Sequence, residues 1–494
     1  MKKLANISAI LIAFVLLGWI TENLEEFKSI KTRMQIRTIP VKMIGSAKTG
    51  EILKRLGLLH VVPNDYQYYR IPSKKDKNSA HTIFKQKRSV GIQLYSIDKN
   101  LIRQDRTPSS AVIPMNEIAS GLPILSLVLD ENDLYDREIG LIPNRLKRGR
   151  KWERTAYLSY FEKTRLLFST GVGVRIHGGY SRKGVTNFRL YFRELYGAAQ
   201  FKPGILFDRP SDPLKCLIVR RIRLDPRDRK VPSYPFAEPI ALELAAQIGC
   251  NAPKTKIVKF FINGKYKGIY CLWERIDTDY LQSHYGHKNF ILARTKRDRR
   301  IDPDPVLLKH GPKKPYHEFK SWAYNLKRPV SMQLVSQRVN LENLCNWIIS
   351  VMFCETSDAF QGSLILDLSD PQAKWFWINW DMQWSFIPIS QMRRVFLGRG
   401  YQDYFTYLFT VKDIRAILFK ALIEDSAGFR KYFNAHFEEV MQSRLNSQYI
   451  ESLLDKYDQL IKSFGVDDSS SIKKIHQFIS KRDHFLRKKI QQYL

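Results

Sequence analysis

Moving a phosphoryl group takes cations to hold phosphate oxygens, an oxygen-rich place for a divalent metal, and a carboxylate to orient the attacking hydroxyl. The sequence holds candidates for each. Asp381 closes the aromatic run Trp375–Asp381 (WFWINWD), and Gln383 follows two residues later. If the run is a strand that continues, alternation puts Asp381 and Gln383 on one face, and their hard oxygens suit magnesium or manganese. Asp358 lies in the turn-like stretch from Glu355 to Gln361. There a carboxylate can meet an incoming hydroxyl, although an isolated aspartate in a turn is ordinarily a cap or a solvated group. Arg175, Arg182, Lys183 and Arg189 surround the glycine turn Gly178-Gly179, where guanidinium forks and backbone amides can cradle phosphate. The same four also read as a solvated basic hairpin. Glu274 is placed to pair with one of those cations. His177 reads as a structural histidine, with no serine or cysteine nucleophile paired to it. The segment GYSRKG lacks the GxxxxGK[ST] frame of a Walker loop.

The elements that must position these residues are partly legible. Pro123–Leu129 reads as a buried strand ending at Asp130. Gly173–His177 alternates and stops at the glycines, and Phe188–Phe192 resumes the strand. Phe236–Ile248 reads as a helix with Gly249 as its C-cap. Lys256–Ile262 and Lys265–Glu274 flank Asn263-Gly264, the pattern of a tight hairpin. Leu341–Phe353 is expected to be helical. So is everything after about residue 400, with one apolar stripe at Leu453, Leu454, Tyr457, Leu460, Ile461 and Phe464 and another at Ile475, Phe478, Ile479, Phe485 and Leu486. These readings give an α+β chain, a strand-rich core followed by a helical C-terminal part.

The 494 residues carry a formal charge of +33, which favours anionic partners without choosing among nucleotides, phosphorylated chains and anionic envelope surfaces. Nucleic acid is disfavoured by the absence of a recognised binding motif. The five cysteines follow no metal-ligand spacing and read as buried small hydrophobes, so neither a zinc site nor a disulfide framework is expected. Leu4–Ile20 is one apolar run behind Lys2 and Lys3, with no small-x-small cleavage site after it. It reads as an uncleaved signal-anchor that holds the body of the chain outside the cytoplasm. Residues 21–120 are basic and weakly periodic, a juxtamembrane stretch with room for a small β-rich module, as at Val90–Tyr95. Residues 121–494 form the main domain.

Taken in order, the motifs resemble those of the CotH family of spore-coat-type atypical protein kinases. The likeness rests on Gly140, Asn144 and Trp152-Glu153-Arg154, then on Gly173–Arg182 (GVRIHGGYSR) and Phe188–Phe192 through Tyr196-Gly197. It continues in Ile262–Tyr270 (INGKYKGIY) with Glu274, in Asn379–Phe386 (NWDMQWSF), and in Phe429-Arg430 and the closing Phe478–Leu486 segment. It covers about residues 122–494. The resemblance implies a kinase-like fold that uses ATP and Mg2+ or Mn2+ to phosphorylate serine or threonine on a protein substrate at the cell envelope. It assigns the metal-binding aspartate to Asp381, the catalytic aspartate to Asp358, the glutamate after the hairpin to Glu274 and the Ser-Arg turn arginine to Arg182. The chain departs from the family pattern at three positions. Gln383 replaces the second aspartate of Trp-Asp-x-Asp, Gln361 replaces a metal-ligating asparagine, and Thr186 replaces a lysine. A catalytically degenerate member serving as an envelope interaction module is the competing expectation.

Overall fold

The computed structural model describes residues 67–72, 80–89, 91–96, 111–113, 117–118 and 120–493, with breaks in the last span at 164, 185, 198–199, 203, 208–212, 225–233, 296–305, 357–360, 393–402 and 467–468. The apolar segment Leu4–Ile20 and Asp358 both lie outside the described residues. Among the described residues no helix is long and apolar enough to cross a membrane.

Within the basic N-terminal stretch, β1 (Gln67–Pro72), β2 (Ala80–Ser89), β3 (Gly91–Ser96) and β4 (Ala111–Ile113) form one antiparallel sheet. The main domain opens with a closed barrel. Its strands are β5 (Ile124–Val128), β6 (Arg154–Glu162), β7 (Arg165–His177), β8 (Asn187–Tyr191), β9 (Cys216–Arg221), β10 (Thr255–Ile262) and β11 (Lys265–Glu274). Antiparallel pairing runs from β5 through β9 to β11 and β10, and a parallel pairing of β10 with β5 closes the ring. The β10–β11 turn is the expected Asn263-Gly264, both in the left-handed region that a tight hairpin needs. Asn263 does more than turn. Its amide accepts from Leu129 N–H at 2.9 Å and donates to Leu129 C=O at 2.9 Å, tying the hairpin to the end of β5.

Strand alternation then splits the chemistry between two faces. Leu217 and Val219 of β9, Phe188 and Leu190 of β8, and Tyr270 and Leu272 of β11 fill the barrel. Ile218, Cys271 and Trp273 point the other way, into a larger core shared with the C-terminal helices. That outer face is the wall on which the candidate site is built.

The barrel's far edge is held by a buried carboxylate. Glu153 receives Arg175 at 2.6 Å, Arg193 at 2.8 Å and the Tyr196 hydroxyl at 3.0 Å. Gly173 must be a glycine here, since a Cβ would meet the Tyr196 ring at 2.5 Å and a Glu153 oxygen at 2.6 Å. Burial pushes Glu153 up, and hydrogen bonds from Arg193 and Arg175 outweigh it, holding the carboxyl below the ordinary glutamate range. A depressed carboxyl contributes stability that is present above its unfolded value and is lost as the pH falls through the folded one. Glu153→Gln should therefore cost about 2–4 kcal/mol at pH 7, discounted because both arginines keep some solvent. The difference from wild type should shrink towards pH 3, as denaturant titrations at the two pH values will read.

Beyond the barrel, β12 (Phe290–Thr295), β13 (Val306–His310), β14 (Gly362–Asp367) and β15 (Phe376–Asn379) make a second antiparallel sheet in the order β13-β12-β14-β15. The longer helices among the described residues are α1 (Ala237–Ile248), α2 (Thr278–Tyr285), α3 (Lys313–Tyr324), α4 (Leu341–Cys354), α5 (Tyr404–Thr410), α6 (Ile414–Asp425), α7 (Ala427–Glu439), α8 (Ser447–Ser463), α9 (Ser469–Ile479) and α10 (Arg482–Tyr493). Gly249 caps α1 in the left-handed region, as its position predicts. The two C-terminal stripes are buried at Leu453, Leu454, Tyr457, Ile461, Ile475, Ile479 and Leu486. All five cysteines are buried and free, each behaving as a small hydrophobe. The architecture is α+β, a strand-rich core followed by helices.

One element is shorter than expected. The aromatic run forms a strand only over Phe376–Asn379, and Asp381 leaves it with φ of 61°. Alternation therefore does not set the relation between Asp381 and Gln383; the turn after β15 does.

Candidate functional site

On the barrel's outer face one lateral row reads Arg175, Arg189, Ile218, Trp273 across β7, β8, β9 and β11. Arg220, one alternation further along β9, lies over the Trp273 ring at 4.9 Å. Its guanidinium reaches three acceptors from two other parts of the chain. Nη1 donates to Glu238 of α1 at 2.9 Å, and Nη2 donates both to Asp381 Oδ1 at 3.1 Å and to Gln383 Oε1 at 3.2 Å. Asp381 and Gln383 are thus brought together as the sequence suggests, but around Arg220, whose place in sequence marks it only as one of a run of basic residues. Burial pushes Glu238 up to about 8, with Arg220 pulling against it and Asp381 adding to it. The charged form of Arg220 is favoured, because Glu238 and Asp381 together outweigh its desolvation. For this shared cation the direction is clear: Arg220 stays charged, and Glu238 is the acid that takes up the proton.

Further guanidiniums crowd the same space. Arg189 donates to the Tyr191 hydroxyl at 3.2 Å and lies 2.9 Å from His177 Nδ1. An arginine can only donate, so Nδ1 accepts and the ring is neutral. Burial, then the fields of Arg189, Arg220, Arg294 and Arg182, hold His177 well below the usual histidine range. It is a structural acceptor, as the sequence indicates. Arg275 pairs with Asp277 at 3.2 Å, and Asp277 in turn caps α2 through the Asp279 and Tyr280 amides. Arg294, on β12, donates to Ile276 C=O at 2.7 Å and lies over Trp380 at 5.1 Å. Burial and the neighbouring Arg275 and Arg189 push it down to about 10. The Nε–H groups of Arg189, Arg275 and Arg294 are buried without a hydrogen-bond partner, as are the indole N–H groups of Trp273 and Trp380. Buried donors without acceptors are costly, and positively charged ones most of all. A site lined in this way suits an anion rich in acceptor oxygens.

The other expected residues have different surroundings. Arg182 gives its guanidinium to four backbone carbonyls, those of Gly178, Arg145, Lys147 and Ile176, so it clamps the glycine turn from within. Lys183 is exposed on the same turn. Arg175 is held by Glu153 and stacked on Tyr191 at 4.2 Å. Glu274 is buried, accepting from Lys254 N–H at 2.8 Å with His284 Nε2 at 3.3 Å. Of the expected phosphate-holding cations around the glycine turn, only Arg189 belongs to the cluster that faces Asp381. Arg220, Arg275 and Arg294 take the place of the others. The one signal that could have found Arg220 was the alternation of β9, which places it opposite Leu217 and Val219. Arg294 opens the basic run Arg294–Arg300, which by itself reads as a polyanion-binding surface, and Arg275 carries no local signature.

A divalent metal needs several oxygens converging on an open position. Here Asp381 Oδ1 and Gln383 Oε1 converge on Arg220 Nη2. Among the described residues no group of three or more His, Cys, Asp or Glu side chains is placed to hold a metal ion. Gln361 is described and its neighbour Asp358 is not, so the described part of the donor set is one carboxylate and two amides. With Arg220 in this position, Asp381 and Gln383 do not fit a metal between them.

No curated protein matches the chain. The family model described as CotH kinase protein matches residues 232–492. The match starts later than the motif resemblance does. It leaves out β5–β9 and therefore Arg189 and Arg220, and it takes in Glu238, Glu274, Arg275, Arg294, Asp381 and the whole helical part. Because it spans more than half of the sequence and contains both the second sheet and the helices packed on the barrel, the chain belongs to the CotH kinase protein family.

Proposed function

We propose that this chain is a membrane-anchored protein kinase with a kinase-like fold, which transfers the γ-phosphoryl group of ATP to serine or threonine of a protein at the cell envelope. Leu4–Ile20 is its anchor, with the body outside the cytoplasm. The observation that carries the reading is the set of buried guanidiniums around His177 and Arg294, three with an unpartnered Nε–H, which Arg220 and Arg294 connect to Asp381 and its neighbour Trp380. Phosphate oxygens are the acceptors these donors lack, and fixed cations around a transferring phosphoryl group stabilise its spread charge. In the transfer, the acceptor oxygen bonds to the γ-phosphorus while the bond to the β–γ bridging oxygen breaks, and ADP leaves. Asp358 orients the hydroxyl and takes its proton. Magnesium or manganese comes with the family resemblance, and the arginines here do the neutralising that such a cation does elsewhere.

A second reading has its own observation. Arg220 engages both Asp381 and Gln383, which is the arrangement expected of a member that keeps the fold as an envelope interaction module and no longer transfers phosphate. The two readings separate in one experiment on the full-length chain in detergent micelles, with γ-labelled ATP. The kinase reading expects label on the chain or on an added protein, reduced by about 10²-fold or more in Asp358→Ala and in Asp381→Ala. ATP binding with no transfer in wild type would leave the interaction module. Absence of ATP binding in a folded sample would remove both the nucleotide and the kinase.

A further inference from the structure

The charge around Asp381 has a consequence for what the site can bind. Among the described residues Arg220 is balanced by Glu238 and Asp381, while the fields of Arg189, Arg220 and Arg294 all reach His177, and Arg294 feels Arg275, Arg189 and, of the acids, Asp277. A dication bound by Asp381 and Gln383 needs the position Arg220 Nη2 holds, 3.1 Å from Asp381 Oδ1 and 3.2 Å from Gln383 Oε1. Arg220 is not a loose side chain that a metal would simply displace. Glu238 holds its other nitrogen at 2.9 Å, and the Trp273 ring lies under it at 4.9 Å. Leaving would strip Asp381 of its cation and Glu238 of its hydrogen-bond donor inside the protein, a large penalty.

Gln383 fits the same picture. A carboxylate in its place would add an oxygen charge for a metal to neutralise, whereas an amide oxygen is satisfied by one N–H donor. Asp381 and Gln383 together match the donors of a guanidinium edge better than the shell of magnesium, which demands near-octahedral oxygen.

We propose that Arg220 is the resident cation of this site, standing where a divalent metal would stand, and that a nucleoside polyphosphate binds here without one. Arg220 neutralises Asp381, and Arg189, Arg275 and Arg294 supply the unpartnered donors that meet the phosphate oxygens. The ligand class rests on the nucleotide reading above; the identity of the cation does not.

Two measurements on the full-length chain test it. The first is ATP binding, by calorimetry, in EDTA and in magnesium. The second is Mn2+ binding without nucleotide, by electron paramagnetic resonance. Wild type should bind ATP with a Kd that changes less than about threefold between the two buffers, and should leave Mn2+ free. Arg220→Gln, which keeps an amide beside Asp381, should lose about tenfold or more in ATP affinity in EDTA and regain part of it with Mn2+. ATP binding in wild type that needs metal, or Mn2+ bound to wild type and released by Asp381→Asn, overturns the proposal while leaving the nucleotide reading intact. Failure to bind ATP in either buffer overturns the nucleotide reading, and with it the ligand proposed here, whatever Mn2+ does. If Arg220→Gln does not fold, the wild-type measurements decide the matter alone.

Discussion

Arg482→Ala should lower stability by about 3–5 kcal/mol, the range for breaking a buried ion pair by removing one partner. Arg482 and Glu355 are both nearly sealed from solvent and meet at 2.9 Å. The arginine also donates to Met352 C=O, near the end of α4, and packs its guanidinium over Phe485 at 4.7 Å and Phe478 at 5.1 Å. Glu355 terminates α4 in the left-handed region, and its second oxygen accepts from Ile389 N–H at 2.9 Å. Burial pushes Glu355 up, and Arg482 with the Ile389 amide pulls against that rise. Without Arg482 the carboxyl must take a proton or stay buried and charged, and either outcome is costly. The pair matters because of where it stands. Thr356 follows directly, bonding Ser385 at 2.6 Å and Tyr404 at 2.8 Å, and Phe386 N–H reaches Cys354 C=O at 2.7 Å. The segment leading to Asp358 and the segment leaving Asp381 are thus fastened to each other and to α10. Denaturant unfolding of Arg482→Ala, Glu355→Leu and the double variant gives the coupling directly. The double variant should recover much of the loss, since removing both charges leaves no orphan.

What the sequence made legible follows from how local each signal is. Asn263-Gly264 is a turn because two adjacent residues accept positive φ, and Gly249 ends α1 for the same local reason. The C-terminal stripes need only the helical period. Asp381 was found because an aromatic run points to it, yet its backbone leaves the strand just before that residue, so the expected shared face with Gln383 had no strand to hold it. Arg182 sits among basic residues at a glycine turn in sequence, and only the fold reveals that four carbonyls of the chain itself surround it. Arg220, Arg275 and Arg294 come from three separate stretches that tertiary packing alone brings to one place. A net charge of +33 makes any single arginine look like surface, which hides the few that are buried.

Burial of those few makes opposite predictions for stability and for binding. Arg294→Met should raise the unliganded stability and lower the affinity for ATP. In the unliganded chain, Arg294 is desolvated between Arg275 and Arg189, with its Nε–H unpartnered. Among the described residues its compensations are one hydrogen bond to Ile276 C=O, the face of Trp380 and the field of Asp277. Replacing a poorly paired buried charge by an apolar side chain of similar volume is often neutral or stabilising, so a gain of about 1 kcal/mol remains after those contacts are lost. For a chain of this size that is a rise of about 2 °C in Tm. The same substitution removes a charge-assisted donor to phosphate and should weaken ATP binding by about 10–100-fold. A residue kept for packing would lose stability on replacement, with binding reduced only as far as the fold suffers. A residue kept for the ligand loses binding while the fold gains. Thermal unfolding and calorimetry on the same sample distinguish the two, and a variant that is less stable yet binds ATP as wild type does would return Arg294 to the core and remove the strongest sign that the site takes an anion.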